Sequence, residues 1–217
     1  MSAILQEEIG QLKGMLNEQT KRVESAITSA LAALRNHDPI QAQMIIDRDQ
    51  EIDQAEIELE ELALKILTLH QPVARDLRMI FAVVKINNEL ERMGDLAARI
   101  AKRVKFFSMH ERLDVFLDLS NMAIQVKSMV KRSLDAFQNS DLDLAYQICQ
   151  DDEKINEMRK SYHRLIVEEI KRTPAYTEGF LELVSLVRHL ERLADMAVHI
   201  SEETIFFLEG KIIRHVY

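Results

Sequence analysis

Residues 90–97 read Leu-Glu-Arg-Met-Gly-Asp-Leu-Ala, and residues 190–197 read Leu-Glu-Arg-Leu-Ala-Asp-Met-Ala. Each copy sets a glutamate and an aspartate four residues apart, Glu91/Asp95 and Glu191/Asp195. Each then runs on to Phe-Phe, at 106–107 and 206–207. On a helix, residues four apart share a face, and two like charges so placed weaken an isolated helix by about 0.2–0.5 kcal/mol. A lone acidic pair of this kind is ordinarily a solvated face, and common descent can preserve residues in both copies of a duplication. The recurrence of an unfavourable pair still suggests a face that wants two carboxylates. Convergent carboxylates suit a hard or borderline cation.

The repeat extends upstream. Leu31, Ala33, Asn36, Asp38, Ala42, Ile45, Asp49 and Ile52 recur as Leu134, Ala136, Asn139, Asp141, Ala145, Ile148, Asp152 and Ile155. The offset is 103 in this block and 100 in the later one. The missing residues fall near Gln71-Pro72 and Thr173-Pro174, where each copy carries a helix breaker. A period near 100 is too long for a solenoid and fits a duplicated small domain. Two domains are therefore expected, at 1–108 and 109–217.

Five glycines, three prolines and no tryptophan leave long stretches without turn residues, the composition of a helical bundle. The pattern predicts six long helices, at about 3–35, 39–70, 73–107, 112–138, 141–171 and 176–209. Asn36-His37-Asp38-Pro39 reads as a helix stop, an N-cap and a first-turn proline, and Asn139-Ser140-Asp141 as its second-copy equivalent. Val83, Ile86, Leu90, Met93, Ala97, Ile100 and Val104 step three and four residues at a time, a coiled-coil seam. Leu183, Leu186, Leu190, Leu193, Ala197 and Ile200 repeat it. The second helix contributes Ile45, Ile52, Ala55, Leu59, Leu62, Ile66 and Leu69. Short connections imply antiparallel neighbours. The fold class is all-α: two tandem, similar three-helix bundles, joined near 107–112.

With Leu90 and Met93 on the seam, Glu91 and Asp95 fall on the outer face. Asp49 and Asp53 of the second helix fall beside the seam. A surface groove between the second and third helices would gather Asp49, Asp53, Glu91 and Asp95. The second-copy set is Asp152, Glu191 and Asp195, with Asn156 in place of the second acid. His199 extends that row by a turn, where the first copy has Arg99. Adding a histidine favours iron or zinc over calcium or magnesium.

Other chemistries lack their residues. Ferritin-like di-iron sites need Glu-x-x-His on core positions, and no histidine here has a glutamate three residues before it. Walker A, dinucleotide-binding, zincin and hydrolase-elbow motifs are absent, which argues against an enzyme. The net charge is −8, and residues 1–108 and 109–217 carry 14 basic residues each against 17 and 19 acidic ones, so neither half suits nucleic acid. No apolar run approaches a membrane span of about 20 residues, and no signal peptide is evident. Lys102-Arg103-Val104-Lys105 reads as a helix end favoured by the macrodipole. The single Cys149 excludes an internal disulfide, fits a reducing cytoplasm and reads as a small buried hydrophobe.

Two copies of Leu-Glu-Arg-x-(Gly/Ala)-Asp on the third helix of paired bundles resemble the PhoU family of phosphate-signalling proteins. Gln71-Pro72-Val73-Ala74-Arg75-Asp76-Leu77-Arg78 is similar to that family's loop-to-helix segment, which the second copy lacks. The resemblance covers essentially the whole chain. It implies two three-helix bundles, often as a homodimer. It implies multinuclear iron or zinc clusters at Asp49/Asp53 with Glu91/Asp95 and at Asp152 with Glu191/Asp195, with Asn156, Ala194 and Arg99 as departures. It further implies a negative regulator of phosphate-starvation signalling, an adaptor between a phosphate ABC transporter ATPase and a sensor histidine kinase. A metal-dependent storage or hydrolytic protein is the alternative, and a metal-free scaffold a third reading.

Overall fold

The structure, a computed structural model, describes residues 3–109 and 119–213. Every element among them is helical. The order is α1 (Ala3–Asn36), α2 (Pro39–Asp47), α3 (Asp49–His70), α4 (Ala74–Met109), α5 (Ser120–Asn139), α6 (Leu142–Arg172), a short 3₁₀ turn (Pro174–Tyr176) and α7 (Thr177–Glu209). The start expected for the fourth helix, at 112, and part of the expected joint lie outside the described residues.

The helix ends follow the local signals. His37 turns left-handed at φ 54°, Asp38 accepts hydrogen bonds from the Ile40 and Gln41 amides at 3.0 Å, and Pro39 opens α2. In the second copy Ser140 takes φ 54° and Asp141 accepts from the Leu144 amide at 3.0 Å. Each aspartate satisfies backbone donors that the first turn would leave orphaned. Gln71, left-handed, closes α3 before Pro72.

One element departs from expectation. The second helix, expected as one span over 39–70, breaks at Arg48 into α2 and α3. No glycine or proline marks the spot. The Arg48 amide turns back to the Ile46 carbonyl, and the new helix places Asp49 and Glu51 in its first turn, where the dipole favours acids. Its counterpart α6 runs unbroken.

α1, α2 and α3 pack on α4, and α5 and α6 pack on α7. The seam residues Val83, Ile86, Leu90, Met93, Ala97, Ile100 and Val104 are all buried, as are Leu186, Leu190, Leu193, Ala197 and Ile200. Leu69, in the last turn of α3, is exposed. Cys149 is buried in the α6 core, and burial pushes its thiol up to about 12.

α4 and α7 also pack on each other, which joins the two repeats. Their contacts run antiparallel. Arg78 donates to the Phe207 carbonyl at 3.4 Å, the Phe81 and Phe206 rings meet edge to face at 5.8 Å, and Lys85 pairs with Glu203 at 3.1 Å. Further along, His199 faces Glu89 and Arg103 pairs with Glu182. Arg103 and Lys105 of the basic cluster are thus spent internally, Lys105 on Gln43.

Candidate functional site

Two buried amides fix α3 in position. Gln19 of α1 donates to the Ile52 carbonyl at 2.8 Å, and Asn87 of α4 donates to the Glu56 carbonyl at 3.0 Å. A third device is steric. At Gly94, α4 comes so close to α3 that a Cβ would stand 2.9 Å from Ile52 Cδ1 and 3.6 Å from Asp49 Oδ1.

These restraints assemble the first groove from α3 and α4. Asp49 is half-buried, and its carboxyl is held above the usual range by burial, then by the fields of Asp53 and Asp95. Glu91 is raised by burial and by Asp95, Glu56 and Asp53. Asp53 and Asp95 thus act on both Asp49 and Glu91, which links the four expected residues in one row. The row is longer than the sequence reading found. Glu56 is raised by burial, Glu60 and Asp53, and the Asn88 amide, once turned so that its nitrogen donates, reaches Glu56 at 2.8 Å and Glu60 at 3.1 Å. The missed signal was available: Glu56 and Glu60 continue Asp49/Asp53 at helical spacing. Among the described residues, Arg99 is the cation in direct contact with the row, at 3.1 Å from Asp95. On its other side Asp49 borders a cavity of about 410 Å³, lined also by Lys21, Arg22 and Arg48.

The second groove, between α6 and α7, also gathers its expected members, but they are differently engaged. Asp195 is pushed up to about 6 by burial, then by Asp152 and Glu191. Asp152 is raised chiefly by burial, while Asn156 donates to its Oδ2 at 2.7 Å and leaves its buried Oδ1 without a partner. Glu191 is taken by Arg159, whose Nε stands 2.7 Å from Oε1. His199 turns Nδ1 to Glu89 of α4, 3.4 Å away, and that hydrogen bond raises its pKa. The upward shift makes His199 a poorer ligand, because metals bind the neutral ring.

The donors suit a divalent cation in type, above all the all-acid first row. Their spacing does not yet suit one: among the described residues no three of His, Cys, Asp or Glu converge on a common point. An ion would have to draw Asp95 from Arg99, or Glu191 from Arg159. No helix among the described residues is long and apolar enough to cross a membrane.

The model of the PhoU domain matches residues 16–104 and 119–204. The chain is 32% identical over 209 residues, 96% of its length and 95% of the relative's, to the phosphate-specific transport system accessory protein PhoU homolog of Clostridium acetobutylicum. The crystal structure of PhoU from Pseudomonas aeruginosa superposes with a TM-score of 0.91 at 30% identity, covering 95% of this chain and 99% of that one. The phosphate transport system regulatory protein PhoU from Streptococcus pneumoniae does so with 0.87 at 27%, covering 96% and 98%. These are names of accessory and regulatory proteins and not of enzymes. Matched in both repeats and over nearly its full length, the chain belongs to the PhoU family.

Proposed function

We propose that this chain is a cytoplasmic negative regulator of phosphate uptake and phosphate-starvation signalling. It acts as an adaptor between a phosphate ABC transporter ATPase and a sensor histidine kinase, and it works as a homodimer. The observation that carries this reading is the near-full-length likeness to accessory proteins of phosphate transport. The two-bundle architecture at 1–108 and 109–217 supplies a physical form for it. Long rigid helices display two related but unlike charged grooves, one for each partner. Binding at one face changes the other partner only if the chain has different affinity for that partner's two states. A deletion strain grown in ample phosphate is expected to express phosphate-starvation genes as if starved, and the reintroduced gene to silence them. Unchanged repression in the deletion strain would sink the reading.

A second reading is supported by the raised carboxyls of Asp49 and Glu91 in the first groove. Asp49, Asp53, Glu91 and Asp95 hold iron or zinc, as an accessory to docking and not for turnover. The bound ion would supply positive charge that relieves their repulsion. In protein purified without chelator, metal content by mass spectrometry should fall in Glu91→Ala/Asp95→Ala. Equal content in folded wild type and variant would remove the metal and leave the groove as a docking face for a cationic partner.

A further inference from the structure

The offset of 103 that relates the first half of the repeats carries past the residues already compared. Asp49, Asp53, Glu56 and Glu60 of α3 correspond to Asp152, Asn156, Arg159 and His163 of α6. Four acids on one groove wall become one acid, an amide, a guanidinium and an imidazole on the other. The opposite walls stay alike, with Glu91/Asp95 in one and Glu191/Asp195 in the other. Arg159 is positioned to act on this difference. Its Nε is 2.7 Å from Glu191 Oε1, an ion pair out of line for a hydrogen bond, with the two side chains 35% and 19% exposed. Asn156 meanwhile spends its amide on Asp152 at 2.7 Å.

We infer that Arg159 is a built-in cation that occupies the second groove in place of a metal ion, so that this groove does not load a divalent cation and the two repeats have divided their roles. A guanidinium on the central carboxylate repels an incoming dication and holds the very oxygen that would ligate it. Asn156 removes a further anionic donor. In the first groove the equivalent Glu56 adds charge where Arg159 cancels it, and the nearest guanidinium, Arg99, sits at the exposed rim on Asp95. The second repeat then keeps its geometry whether or not metal is present. The part of the inference that concerns the first groove rests on the metal reading above; the part that concerns Arg159 does not.

The test uses the full chain with Zn²⁺ as probe, loaded in excess and dialysed. Zinc content is expected to be the same in wild type and in Glu191→Ala/Asp195→Ala. The variant Asn156→Asp/Arg159→Glu, which restores the acids, is expected to hold about one more zinc ion per chain and to melt at a higher temperature with Zn²⁺ than with EDTA. Arg159→Gln in EDTA is expected to melt about 2–4 °C below wild type, because repulsion in the groove is no longer offset. Loss of zinc in Glu191→Ala/Asp195→Ala relative to wild type would overturn the inference. So would an unchanged melting temperature for Arg159→Gln in EDTA, a readout that stands even where the double variant fails to fold. A zinc-free wild type beside a zinc-loaded Asn156→Asp/Arg159→Glu would defeat the first-groove metal reading and still support the role of Arg159.

Discussion

Replacing Lys85 with methionine is expected to lower the stability of the fold by about 3 kcal/mol, the low end of what breaking a buried ion pair costs. Lys85 Nζ pairs with Glu203 Oε1 at 3.1 Å, where the glutamate side chain is 6% exposed and the lysine 29%. The same ammonium lies 4.4 Å from the centre of the Phe81 ring, and Phe81 packs against Phe206. The pair therefore sits in the apolar contact through which α4 of the first repeat meets α7 of the second. Methionine keeps the stem and its packing but withdraws the charge that faces Glu203, in a place where a carboxylate is poorly solvated. Lys85→Met/Glu203→Leu should recover most of the loss, since a buried pair and a well-packed apolar replacement are often of similar stability. Urea unfolding of the two single variants and the double variant gives the coupling directly. A Lys85→Met variant within about 0.5 kcal/mol of wild type, the usual range for a surface substitution, would show that the repeats are not held together here.

That contact also marks a limit of reading the sequence. Heptad stepping predicts which residues of α4 and α7 face their own bundles, and Leu90, Met93, Leu190 and Leu193 are fully buried as expected. The helix caps at Asp38 and Asp141 were equally legible, because capping is a local transaction between neighbouring residues. Lys85, Glu89, His199 and Glu203 stand off those seams, and their pairing depends on how two long helices cross, which no local pattern encodes. The break at Arg48 escaped for a related reason. No residue there forbids helix, and tertiary packing decides between a straight α6 and a divided α2–α3. In the candidate site the duplicated motif points to Glu91/Asp95 and Glu191/Asp195, whereas the informative difference lies where the two copies diverge. Glu56 and Arg159 occupy equivalent positions with opposite charge.

Introducing valine at Gly94 is expected to cost about 2–3 kcal/mol, toward the upper part of the range for overpacking a core. It should also disperse the first acidic row. The glycine of the first motif is not a turn residue: it lies inside α4, fully helical and buried. Its cost to helix propensity is about 1 kcal/mol relative to alanine, so its presence calls for a steric reason. Ile52 supplies one, because a Cβ at 94 would lie 2.9 Å from its Cδ1 and 3.1 Å from its Cγ2. In the second motif Ala194 fills the matching position and is fully buried, so the second repeat accommodates a methyl there. Alanine at 94 brings a propensity gain that opposes a contact with the flexible end of Ile52, and a near-neutral effect is expected. Valine adds branches beyond a Cβ that already meets two atoms of Ile52, and α3 is expected to move outward, carrying Asp49 with it. Asp49 then loses burial, the main cause of its shift, and the field of Asp95 weakens, so its raised pKa should fall toward the ordinary aspartate range. Trimming Ile52 to valine in the Gly94→Val background should return part of the stability, with a coupling of at least about 0.5 kcal/mol. Thermal unfolding combined with a carboxyl-carbon NMR titration of Asp49 follows both effects in one set of samples. Full stability with an unmoved Asp49 titration would mean that the close approach at Gly94 does not shape the groove. Loss of stability with an unmoved titration would assign Gly94 to packing alone.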